Sequence, residues 1–151
     1  MPTRLTTRTN PVDYSASYYL LEAGIAAARI VLKAGNEVLE GDRTPGSAFR
    51  TPLATLHAFQ GWADKFLATP DAGIADLYVV ATGNALGADL TLRLHDFSAV
   101  AGSAEWGSEL DFSANWPIGT HYSVLLAGAT YDADDLYSNT NKYWLMLTAA
   151  F

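Results

Sequence analysis

Eight ionisable residues recur within apolar, alternating stretches of the chain: Glu22, Lys33, Glu37, Asp76, Arg93, His95, Glu109 and Asp111. Residues two apart in an extended chain point the same way, so these side chains are expected to share one polar wall. Such a wall can brace neighbouring strands through cross-strand ion pairs. It can also line a lumen and select a solute by charge. Catalysis has no comparable support. His57, His95 and His121 lack metal-ligand spacing, and Ser108 and Ser113 lie in no nucleophile-elbow context. No Gly-rich phosphate loop occurs. Asp132, Asp134 and Asp135 lack the glycine and distal glutamate of a calcium loop and read as a solvated connection. No catalytic residue, metal or cofactor is expected.

The wall needs strands to carry it, and period-two alternation dominates the chain. LTLRLH at 90–95 puts three leucines on one face and Thr91, Arg93 and His95 on the other. ELDFSANW at 109–116 separates Leu110, Phe112, Ala114 and Trp116 from Glu109, Asp111, Ser113 and Asn115. The last run aligns Tyr143, Leu145, Leu147, Ala149 and Phe151. Weaker runs at 14–26, 29–39, 74–82 and 122–131 bring the expected strands to seven. They are longer than the ~5–6 residues usual in soluble sheets and match the ~9–11 that cross a bilayer at a tilt. Connections alternate strictly between short (26–29, 84–88, 117–121) and long (41–73, 97–107, 132–142). This asymmetry is that of up-and-down outer-membrane barrels. Tyr18, Tyr19, Trp116, Tyr122, Tyr131, Tyr143 and Trp144 fall near strand ends, where an interfacial aromatic girdle is expected.

Composition agrees. The 151 residues are half apolar, 17% charged and carry net charge −7, against about 25% charged in typical soluble domains. The acidity argues against a general nucleic-acid binder. The absence of cysteine excludes a disulfide scaffold and thiolate zinc sites. No run reaches the ~20 apolar residues of a spanning helix, and the first ten residues do not read as a signal peptide.

Several segments together resemble alginate-export-like bacterial outer-membrane porins. They are TPLATLHAFQGWADKFL at 51–67, LHDFSA at 94–99, WGSELD at 106–111, YDADD at 131–135 and the ending KYWLMLTAAF. The resemblance runs from about Tyr14 onward and covers only the C-terminal part of such proteins. It implies a bacterial outer-membrane location, contact with lipid and the barrel-assembly machinery, and porin-like diffusion or export of a small polar or anionic solute. Homo-oligomer formation stays open. On this reading residues 1–151 form one all-β, antiparallel up-and-down barrel of about 7–8 strands, or a fragment of a larger one truncated at its N-terminus. Residues 2–10 would be a poor eighth strand. The eight ionisable residues become the lumen lining. Tyr143, Leu145, Leu147 and Phe151 mark the terminal assembly strand. The long external loop 41–73 is expected to hold a short helix whose Leu56, Phe59, Trp62, Lys65 and Phe66 form a constriction or lid. A soluble barrel holding an apolar ligand, with the faces inverted, is the alternative; a non-conducting structural barrel is another.

Overall fold

The computed structural model describes residues 15–51, 56–57 and 59–151. They form seven strands: β1 Tyr18–Ala27, β2 Ile30–Leu39, β3 Ile74–Ala85, β4 Ala88–Ser98, β5 Glu105–Ile118, β6 Tyr122–Ala133 and β7 Thr140–Ala149. All pair antiparallel with their chain neighbours in one sheet of order β1 to β7. The three tight connections gather at one end and the three long ones at the other, as the alternating spacing predicts. At the tight turn of Leu86 and Gly87 both residues have positive φ, 55° and 75°, the backbone twist that a two-residue hairpin favours.

Two expectations need correction. Among the described residues no pairing joins β1 to β7, so the seven-stranded sheet they form is open rather than a closed barrel. The described residues supply seven strands, where the smallest single-chain bacterial barrels use eight. The suggested eighth strand at 2–10 lies outside the described residues. Among the described residues of loop 41–73 there is no helix either. His57, Gln60, Gly61 and Asp64 all have positive φ, which breaks any right-handed helical run.

Register assigns the faces, because residues paired across strands point to the same side. On one side lie Tyr19, Leu21, Ala23, Ile25 and Ala27 of β1 with Leu32, Val79, Leu92, Leu94, Phe112, Leu126 and Tyr143 through their pairings. Within a band this face is apolar, interrupted on β2 by Asn36, with Asp96, Ser98, Ser108, Thr130, Asp132 and Asn141 beyond the band at the long-loop end. Among the described residues nothing covers most of it. Leu21 is 73% exposed and Leu145 78%. The other face carries the ionisable residues and is covered in part by loop 41–73.

The apolar band runs diagonally across the register. On β1 it starts at Tyr19, but on β4 Asp96 holds the row in register with Leu21. On β7 it starts only at Tyr143, in register with Ile25. From Tyr19 to the level of Ile25 the edge thus falls six residues over six strand steps, an average of one per strand, although Val38 and Ala75 are still level with Tyr19. Such a slope is that of strands sheared against a common plane. The tight turns step down in the same sense.

The buried core lies at the long-loop end of the covered face. Leu39, Ile74, Phe97, Ala129 and Tyr131 from the strands meet Ala63 and Phe66 from the loop. Phe66 packs its ring 4.7 Å from Phe97. A bulge opposite Phe97 and Ser98 inserts an extra residue, which re-aims the strand. Gly107 takes φ 132° there, where a Cβ would collide with the Asp132 carbonyl. The neighbouring Trp106 joins the core and donates its indole N–H to the Gly73 carbonyl at 3.2 Å.

Candidate functional site

Alternation carries all eight expected wall residues to the covered face: Glu22 on β1, Lys33 and Glu37 on β2, Asp76 on β3, Arg93 and His95 on β4, Glu109 and Asp111 on β5. Loop residues 60–64 then cross this face. Gln60 donates from Nε2 to Glu37 Oε2 at 2.8 Å. The Trp62 ring lies 5.6 Å from the Arg93 guanidinium. The Ala63 N–H donates to Glu109 Oε1 at 2.6 Å, and Lys142 on β7 pairs with Asp64 at 2.9 Å. One short stretch therefore touches β2, β4, β5 and β7.

Gly61 makes this approach possible. Its φ is +84°, and a Cβ there would press into the Glu109 carboxylate. Of the expected constriction residues, Phe66 and Lys65 secure the loop. Phe66 is buried, and the Lys65 ammonium lies 5.4 Å from the Tyr131 ring centroid. Phe59 and Leu56 are exposed, at 53% and 60%. Phe59 lines a cavity beside the crossing, whereas Leu56 has no place in either cavity described here.

That cavity, about 310 Å³, lies between β1–β4 and the loop. Its walls include Glu22, Lys33, Glu37, Asp76, Arg93 and His95. Glu22 pairs with Lys33 at 2.8 Å and accepts the Tyr78 hydroxyl at 2.7 Å. Glu37 also accepts the Tyr18 hydroxyl at 3.0 Å. Asp76 and His95 Nδ1 are 2.8 Å apart. Beneath the loop the packing is tighter: Asp111 and Glu109 are 0% and 2% exposed. Neither Asp111 oxygen has a hydrogen-bond donor among the described residues, and Glu109 Oε2 has none. Of the ionisable wall residues, Glu22 and Lys33 form the one cross-strand Lys or Arg ion pair among the described residues.

A second cavity of about 630 Å³ flanks the loop on the β5–β7 side, with His57, Trp62, Trp144 and Met146 in its wall. His57 meets Trp144 edge-on with centroids 4.4 Å apart and pairs with Asp64 at 2.9 Å.

Sequence reasoning missed Tyr78, Gln60, Asp64 and Lys142. Tyr78 was accessible, two residues beyond Asp76 on one alternating strand. Gln60 and Asp64 carried no such signal, since their positions depend on how the loop folds back. The aromatic residues divide. Tyr19, Trp116, Tyr122 and Tyr143 lie on the apolar face near its edges, while Tyr18, Tyr131 and Trp144 point to the covered face. Of the terminal-strand residues, Tyr143, Leu145 and Leu147 share the apolar face, and the Phe151 ring stacks on His121 at 5.7 Å.

No protein-family model, curated protein or solved structure matches the chain. The resemblance to alginate-export-like porins therefore rests on the sequence segments alone.

Proposed function

We propose that this sheet is part of the wall of an outer-membrane β-barrel, and that the covered face lines a conduit for a small polar solute narrowed by residues 60–64. The diagonal apolar band carries this reading. A slope of one residue, about 3.3 Å, per strand spacing of about 4.8 Å corresponds to strands inclined by about 35° to the plane of the band. Barrel strands tilt by about 35–45°. About nine residues at that tilt span about 24 Å, against an apolar belt of about 25 Å in outer-membrane barrels. Shear alone fits closure into any barrel, soluble or membrane; that the sheared apolar band lies on the uncovered face is what favours lipid.

The arrangement of the loop adds support. In a soluble barrel holding an apolar ligand, the leucine face would be the enclosed one. Here the loop covers the polar face and leaves the leucines open. A non-conducting barrel is the second reading, favoured by how tightly 60–64 pack over Glu109 and Asp111. Mechanism on the main reading is passive: the width left by the loop and the charges beside it set what passes.

The test is to partition the purified chain between buffer and detergent micelles and then record from planar bilayers. Detergent dependence with stepwise conductance is expected. A monodisperse monomer in plain buffer would overturn the membrane reading, and a detergent-dependent protein that never conducts would leave the structural barrel.

A further inference from the structure

The charges of the covered face do not balance. The strands bring six carboxylates to it, Glu22, Glu37, Asp76, Asp89, Glu109 and Asp111, against three permanent bases, Lys33, Arg93 and Lys142, and His95, which lies 2.8 Å from Asp76 and 3.6 Å from Asp111. Two of the bases are held by carboxylates, Lys33 by Glu22 and Lys142 by Asp64; Arg93 lies against the neutral Trp62 ring and keeps its charge. Among the carboxylates Glu37 likewise has no charged partner. Its partners are a tyrosine hydroxyl and a glutamine amide, both neutral, so its charge is oriented but not cancelled. It stands in the wall of the 310 Å³ cavity.

Without Asp111, which is fully buried beneath the loop and outside the cavity wall, the remaining five carboxylates still outnumber the three permanent bases. In a confined, low-dielectric passage this surplus concentrates ions of opposite sign.

We infer that the conduit passes small monovalent cations in preference to anions, with Glu37 as a selectivity-determining residue. This rests on the conduit reading above and runs against the anionic solute that the resemblance implies. The cavity has room for about ten waters, enough for a partly hydrated ion. Among the described residues no three His, Asp or Glu side chains converge to hold a metal. This suits transit, which requires that an entering ion also leave.

The experiment is the zero-current potential of the full chain in planar bilayers under a KCl gradient. The expected sign marks K⁺ as the more permeant ion. Glu37→Gln, which keeps an acceptor for Tyr18, is expected to lower the K⁺ to Cl⁻ permeability ratio by about half or more. Lys33→Gln is expected to raise it, and serves as the test if Glu37→Gln does not insert. A Cl⁻ preference, or selectivity indifferent to both substitutions, would overturn the inference while leaving the conduit in place. Inserted protein without any conductance would overturn both.

Discussion

At the scale of single residues, the loop is held by a few close contacts that have no slack. Gly61 sits in left-handed backbone directly against Glu109. A side chain in such backbone costs of order 1–3 kcal/mol, so Gly61→Ala is expected to lift 60–64 from the sheet. Trp62 fluorescence should shift toward the solvent-exposed value, and the shift should be absent in Gly87→Ala, whose Cβ meets nothing within 4 Å. Asp42, outside the strands, is held by Ser47 and by the Thr44 N–H at 2.8 Å. The Ser47 hydroxyl and then the Thr44 amide favour its ionised form and keep the carboxyl below its ordinary range. The order it gives the loop is therefore complete above the ordinary carboxylate pKa and lost as pH falls through the lowered value. Amide exchange at Thr44 and Ser47 is expected to keep its protection at pH 5 and lose it under more acid conditions, and Asp42→Asn should lose part of it at any pH.

At the scale of elements, strands and loop were not equally legible. Alternation in LTLRLH and ELDFSANW was enough to place β4, β5 and the faces of Arg93, His95, Glu109 and Asp111, because period two is a local property. The loop was not local. Its leucine and aromatic spacing suggested a helix, yet Phe66 is used in a core built from strands far away in sequence, and tertiary packing prevailed over local periodicity. The bulge at Trp106 and Gly107 was also hidden, since an extra residue breaks the count on which alternation depends. Phe66→Ala removes a ring packed against Phe97, Tyr131 and Tyr137. It is expected to cost about 3–5 kcal/mol and to open residues 41–73 to protease while β4 to β6 stay protected.

At the scale of the molecule, the proposed barrel puts its apolar face in contact with lipid. Leu92 lies near the middle of the diagonal band and is 45% exposed, with Thr91 its neighbour on the other face. In a bilayer, Leu92→Arg is expected to destabilise the inserted protein by about 2–4 kcal/mol, while Thr91→Arg, facing the polar side, changes little. Denaturant titration from lipid vesicles measures both. Equal effects of the two substitutions would mean that the leucine face does not meet lipid. The diagonal was present in the sequence but unreadable there, because it appears only once each strand is set in register with the next.

The antiparallel order has a directional consequence. Seven strands, each reversing the last, leave β1 and β7 running the same way. A direct seam between them would be a parallel ladder, with evenly spaced, slanted hydrogen bonds and slightly weaker pairing. A seam that keeps the antiparallel pattern calls for an odd number of intervening strands. On the barrel reading, the direction of the chain at its two edges therefore sets the parity of any strands that would close the seam.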